Sequence, residues 1–209
     1  MESFTSLPKD KQEKIVDAAL SCFGANGYKK ASVSDIAAAA GISKAMVFHY
    51  FGTKKGLYLY LVNLVGQFMT DAFTKAMPQI LDPKFSDFFE RVRVSTRLKV
   101  VLMKKHPAFL AFANAMYAEK HPEVRPEVEA LMAKGEAFRR QVASGGIDSY
   151  KFKDGIDPEK VMKMLTWMAE GYISEFPANK QYDIDVLAAL FDDCMEIMKK
   201  NFYKEEYLA

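Results

Sequence analysis

Cysteine is scarce in this 209-residue chain, which contains only Cys22 and Cys194. A disulfide between them stays open, but two reduced thiols packed within helices are the better expectation for a cytoplasmic protein. Glycine and proline are also few, at eleven and eight residues, while half of the chain is hydrophobic, so a disordered chain is excluded. No basic start followed by an apolar run opens the sequence, and its most apolar stretch, residues 57–65, is too short to cross a bilayer. We therefore expect a soluble protein of the cytoplasm.

Signatures of catalysis are missing as well. The sequence has no Gly-rich phosphate loop, no nucleophile elbow and no paired-carboxylate motif. Its histidines, cysteines and acidic residues show no recognisable metal-ligand spacing, and His106 and His121 each precede a proline at a predicted helix boundary. We expect no enzymatic activity, no cofactor and no metal site.

Charge is distributed unevenly although the formal net charge is only +2. Residues 1–56 contain eight lysines against five acidic residues, a net charge of +3, and the remaining residues carry −1. A basic N-terminal quarter indicates an anionic partner, although three charges are also compatible with an ordinary solvated face. Arginine is absent from these 56 residues, so bidentate pairing with guanine is not available there.

Helical periodicity runs through almost every segment, and it predicts an all-α protein. The first helix is expected to end at Asn26-Gly27, a typical helix C-terminus. Eight further helices are predicted at about residues 33–40, 44–50, 54–77, 82–105, 107–120, 123–143, 158–175 and 183–202.

The segment from Ser32 to Phe51 contains the chemistry that indicates function. Ser32 or Ser34 can cap a short alanine-rich helix, because a side-chain oxygen there accepts a free backbone N–H. Gly41 follows where the chain must take a left-handed conformation, and Ser43 can cap the next helix. A helix, a tight glycine turn and a second helix form the arrangement that places the second helix in the major groove of DNA.

This second helix would present residues that are too large and apolar for a purely solvated face. Thymine methyl groups accept apolar contacts, whereas lysines and hydroxyls reach phosphates or guanine edges. The residues concerned are Lys44, Ala45, Met46, Phe48, His49 and Tyr50. The alternative is that residues 32–56 are two short helices packed within a bundle that binds no DNA.

These residues closely resemble the N-terminal signature of the TetR family of bacterial regulators. The resemblance covers about residues 10–60 and is specific in combination. Its matching residues are Ser32, Ile36-Ala37, Ala40-Gly41-Ile42-Ser43, Phe48-His49-Tyr50-Phe51, Lys54 and Leu57, preceded by Ala18-Ala19-Leu20, Phe23 and Gly27-Tyr28. It implies a nine-helix protein with a helix-turn-helix DNA-binding domain at residues 1–53 and a helical effector-binding and dimerisation domain at 54–209.

The resemblance also implies roles for single residues in contact with double-stranded operator DNA. Ser32, Tyr50 and Lys54 would contact phosphates, and Lys44, Ala45 and His49 would face bases; Ser43 and Phe48 complete the predicted set. The family often has tyrosine where this chain has Phe48, so one phosphate-binding hydroxyl is missing. We therefore predict modest base specificity that depends partly on DNA shape.

The helical body would hold an effector pocket and the homodimer interface, by the same resemblance. Helices at about 158–175 and 183–202 are the predicted dimer pair. A pocket for a small lipophilic or aromatic effector is predicted from a concentration of aromatic and methionine residues: Phe109, Phe112, Met116, Tyr117, Trp167, Met168 and Tyr172. The alternative is that these residues are ordinary core. Glu170 or Glu175 would favour a cationic effector if either faced that pocket.

A ligand-responsive repressor, released from DNA by its effector, is the function predicted from these features together. The alternative is an architectural or partner-docking protein that binds DNA through the same fold and has no small-molecule effector.

Overall fold

The structure, a computed structural model, describes residues 3–80, 82, 84–105, 108–174 and 183–208. Within these ranges the only β-pairing is an isolated bridge between Phe152 and Tyr203, so the all-α prediction is confirmed. The helices of the described chain are α1 (Lys9–Lys30), α2 (Val33–Ala40), α3 (Lys44–Phe51), α4 (Lys54–Ile80), α5 (Phe88–Lys105), α6 (Phe109–Ala118), α7 (Arg125–Ser144), α8 (Pro158–Ser174) and α9 (Ile184–Phe202).

These helices form two compact units. The first contains the described residues of 3–67 and 105–132, and the second those of 68–104, 133–174 and 183–208. Both α4 and α7 contribute residues to each unit. The predicted boundary after residue 53 separates a DNA-binding segment from the remaining helices, and it stays a prediction.

In the first unit, α1 crosses α6 closely because Gly24 has no side chain. A Cβ atom at Gly24 would lie 2.9 Å from the backbone nitrogen of Phe112 and 3.0 Å from the carbonyl carbon of Ala111. Beside this crossing, the ring of Tyr58 lies edge-on to those of Phe23 (5.0 Å between centroids) and Phe112 (5.5 Å). These three rings are fully buried and form the centre of the unit.

The end of the first helix differs from the prediction. α1 continues to Lys30, and Gly27 interrupts it with φ +66° rather than ending it. Here the N–H of Tyr28 donates to Oε2 of Glu119 at 2.8 Å, and the Tyr28 hydroxyl donates to Oε2 of Glu123 at 2.7 Å. Burial opposes ionisation of Glu119, but backbone N–H donors from Tyr28, His121 and Lys120 hold its pKa below the ordinary value. The segment after α6 is thereby attached to the end of α1.

In the second unit, a buried apolar cluster joins α5, α7, α8 and α9. Its members include Phe88, Phe89, Phe138, Val142, Phe152, Leu165, Met195 and Tyr203. Arg91 is buried beside them at 1% exposure, and its guanidinium donates to the carbonyls of Phe85, Gly145 and Gly146. Every carbonyl in this set belongs to a loop, so Arg91 fixes the segments that precede α5 and follow α7.

Two predicted helix boundaries are wrong for identifiable reasons. α5 begins at Phe88 rather than near residue 82, because the Asp87 carboxylate caps it by accepting the N–H of Glu90 at 3.2 Å. α4 continues past Pro78 to Ile80, since a proline so near the end of a helix disturbs few backbone hydrogen bonds. α8 begins at Pro158, as predicted, and Asp183 caps α9.

Candidate DNA-binding surface and effector region

The turn between α2 and α3 has the geometry expected of a helix-turn-helix. The hydroxyl of Ser32 accepts the N–H of Asp35 at 3.3 Å and caps α2, while that of Ser43 accepts the N–H of Met46 at 3.2 Å and caps α3. Gly41 has the left-handed conformation at φ +69°, and the N–H of Ile42 closes the turn on the carbonyl of Ala37 at 3.0 Å.

One face of α3 is exposed, and it carries four of the predicted DNA-binding residues. Lys44, Ala45, Phe48 and His49 are all exposed, whereas Val47 on the opposite face is 1% exposed. The ammonium of Lys44 lies 5.9 Å from the Phe48 ring centroid. The face therefore presents a cation, an imidazole and apolar surface, and it carries no acidic group.

Phe4 supports α3 from behind, and sequence reasoning missed it. Its ring is buried against Tyr50, Phe51 and Tyr60, with centroid distances of 6.0, 4.9 and 5.2 Å. The hydroxyl of Tyr50 is buried and has no hydrogen-bond partner. Phosphate contact by Tyr50 therefore requires movement of this hydroxyl, and that contact stays a prediction. Apolar residues at positions 4 and 7, just before Pro8, were the available signal for a packed segment.

Lys54 contacts the end of α1 within the protein. Its ammonium donates to the carbonyl of Lys29 at 3.1 Å and lies 5.2 Å from the Tyr28 ring centroid. The exposed side chains of Lys29 and Lys30 are beside the Ser32 cap in sequence, so several cations gather at the start of α2. Phosphate contacts by Ser32 and Lys54 stay predictions, and Lys29 and Lys30 are further candidates for the same role.

Comparison with known proteins agrees with this geometry. The family model described as "Bacterial regulatory proteins, tetR family" matches residues 15–61, which contain α2 and α3. The HTH-type transcriptional regulator BetI of Rhizobium meliloti (strain 1021) is 35% identical over 189 residues, covering 88% of this chain and 86% of that protein. The chain belongs to the TetR family of transcriptional regulators.

Other TetR-like proteins match along most of the chain. The fatty acid metabolism regulator protein of Bacillus subtilis (strain 168) is 22% identical over 205 residues, covering 94% of this chain and 98% of that protein. A solved structure of the transcriptional regulator FadR from Bacillus subtilis, in complex with stearoyl-CoA, aligns with a TM-score of 0.63 and 20% identity over 87% of this chain and 96% of that chain. At this identity the structural likeness establishes the TetR fold. Members of the family bind DNA and form dimers, and this chain is a transcriptional regulator.

The predicted effector residues belong to both units. Phe109, Phe112 and Met116 are buried in the first, as Tyr117 is partly. In the second, Met168 packs against the buried cluster, whereas Trp167 is 59% exposed beneath the ammonium of Lys163. The side chain of Tyr172 and all of Glu175 lie outside the described residues, and Glu170 is exposed. A shared effector site for this set stays a prediction.

Searches for other kinds of site gave two results over the described residues. No group of three or more His, Cys, Asp or Glu side chains is arranged to hold a metal ion there. None of the helices in those ranges is both long and apolar enough to span a membrane.

Proposed function

We propose that this regulator is a ligand-responsive repressor that binds operator DNA as a homodimer through α3 and releases it when an effector binds its helical body. The exposed face of α3 is the observation that carries the DNA-binding half, because its only charged group is the cation Lys44. The similarity to the fatty acid metabolism regulator and to FadR in complex with stearoyl-CoA supports the ligand-responsive half.

A second exposed surface, on α8 and α9, supports dimerisation. α9 has apolar residues on two faces: Phe191, Met195 and Met198 pack into the core of the second unit. On its other face Val186, Leu190 and Ile197 are exposed, and on α8 so are Met164 and Trp167. A helix that is apolar on two sides is buried on two sides, so we infer that this α8–α9 face pairs with its copy in a four-helix bundle.

Placing charge on the α8–α9 face should separate the dimer. We expect the double substitution Leu190→Asp and Ile197→Asp to yield a folded monomer, because two subunits would each bring two desolvated carboxylates into the interface. Size-exclusion chromatography with light scattering measures the mass, and the 23.6 kDa chain should double for wild type only.

The matched control is Val101→Asp, which changes a 69% exposed apolar residue on α5 in the same way. This control should remain dimeric. A dimeric double variant, or a monomeric wild type, would contradict the assignment of the interface.

The ligand-responsive half is tested by adding an effector to a protein–DNA complex. DNA upstream of the protein's own gene serves as the operator in a mobility-shift assay, and stearoyl-CoA is the first probe. We expect saturating effector to weaken operator affinity about 5- to 150-fold, the usual range of coupling between two sites. Unchanged affinity across a series of lipophilic ligands would instead favour the architectural protein without an effector.

A further inference from the structure

Lys99, on α5, is a lysine in an unusual setting within the second unit. Burial, and secondarily the charge of Arg139, lowers the pKa of its ammonium to about 8. No carboxylate of the described chain lies within ion-pair distance of Lys99. A desolvated cation without a partner destabilises a fold, so a helical body retains one mainly where it has a function.

The surroundings of Lys99 indicate an interior space. A helix between core and solvent alternates buried with exposed residues, as the buried Phe88, Phe89, Arg91 and Val92 begin to do. Further along α5, residues 93–96 and 98–100 are all half-buried, and these positions cover every side of the helix. Lys99 thus keeps accessible surface although its ammonium is desolvated by surrounding protein, which is the behaviour of a side chain that lines a cavity.

Positive charge predominates next to Lys99. Arg139 on α7 donates to Oε2 of Glu136 through Nη2 at 2.7 Å and through Nε at 3.2 Å. That hydrogen bond, followed by the charges of Arg139, Arg140 and Lys163, lowers the pKa of Glu136. Four cations therefore surround a single carboxylate in this part of the described structure, and an anion would be attracted there.

Apolar surface adjoins these cations. Val94 and Leu98, one helical turn apart on α5, are half-buried and pack against the core of the second unit, as does Met168 on α8. An apolar wall beside an unpartnered cation suits a ligand with a hydrocarbon body and a charged end.

We propose that the effector is an amphipathic anion, whose carboxylate or phosphate pairs with Lys99 and Arg139 while its apolar chain lies along Val94, Leu98 and Met168. The proposal rests on the ligand-responsive function above and adds the chemical class of the ligand and the residues that select it. It replaces the cationic effector considered from the sequence, since Glu170 points to the exposed side of α8.

Titration calorimetry with four ligands of one chain length tests this directly. The ligands are dodecanoate, lauroyl-CoA, dodecanol and dodecyltrimethylammonium, each below its micellar concentration. We expect at least one anion to bind ten times more tightly than the alcohol and the cation. Preference for dodecanoate would identify a carboxylate site, and preference for lauroyl-CoA a phosphate site.

Variants of Lys99 separate recognition from packing. Lys99→Met should lose the preference for anions at least tenfold, keep its operator affinity without ligand, and unfold at a higher temperature because the buried charge is gone. Lys99→Arg should retain the preference, and Lys160→Met, at an exposed lysine of α8, should match wild type.

Outcomes distinguish this inference from the function on which it rests. Equal binding of all four ligands, or an anion preference that survives in Lys99→Met, would overturn the anion site and leave a ligand-responsive repressor. Failure of every ligand to bind or to weaken the operator complex would overturn both.

Discussion

Replacing Lys44 and His49 together with alanine is expected to weaken operator binding at least a hundredfold without unfolding the protein. Both side chains lie on the exposed face of α3. A contact to a base or phosphate contributes about 1–3 kcal/mol, and a homodimer would lose each contact twice. Alanine favours helix, and neither residue belongs to the core, so the fold should tolerate the change.

Fluorescence anisotropy with a labelled operator measures this loss, and circular dichroism verifies helix content. Lys134→Ala is the matched control, because Lys134 is an exposed lysine on α7, in the second unit. It should bind within about threefold of wild type. A double variant that binds as tightly as the control would show that α3 is not the helix that contacts DNA.

Substituting Gly24 is expected to have the largest effect on stability. The added Cβ of Gly24→Ala would meet the backbone of α6 at 2.9–3.0 Å, and backbone cannot rotate away as a flexible side chain can. Overpacking of this kind lowers the free energy of unfolding by about 1–3 kcal/mol, and the bulkier Gly24→Val should cost more. Thermal unfolding should show a midpoint lowered by several degrees.

Gly135→Ala provides the opposite expectation in the same assay. Its Cβ would lie 3.6 Å from Nη1 of Arg139, an ordinary contact, within the helix α7. Alanine in a helix is more stable than glycine by about 0.5–1 kcal/mol, so this variant should unfold at an unchanged or higher temperature. Equal behaviour of the two alanine variants would contradict the close crossing of α1 and α6.

The helix-turn-helix was predictable because everything that forms it is local. Two serine caps, an alanine-rich helix and Gly41 lie within about twenty consecutive residues, and each has one physical function that sequence alone reveals. The structure places these groups where the sequence expected them. The exposed face of α3 follows directly, since the helical period separates Val47 from Lys44 and Phe48.

Long-range contacts account for what the sequence did not predict. Burial of the Tyr50 hydroxyl depends on Phe4, 46 positions earlier in the chain, and the direction of the Lys54 ammonium depends on the carbonyl of Lys29. The Glu119 contact joins residues 91 positions apart. No local pattern contains such information.

Lys99 shows the same limit in the effector region. In sequence it is one lysine within an amphipathic helix, where most lysines are solvated. Only the burial of its neighbours distinguishes it from Lys104, which pairs with Asp185 at 2.6 Å. Aromatic residues were the stronger sequence signal, and three of them, Phe109, Phe112 and Trp167, proved to be either core or exposed on the protomer surface.

The salt dependence of operator affinity, measured for wild type and for the Lys44 and His49 double variant, tests the central claim most directly. For wild type, the logarithm of the association constant should fall linearly with the logarithm of salt concentration, because each neutralised phosphate contributes a slope of about −0.9. The double variant should bind more weakly and with a shallower slope. Wild-type binding that does not depend on salt, or identical curves for the two proteins, would contradict DNA binding through α3.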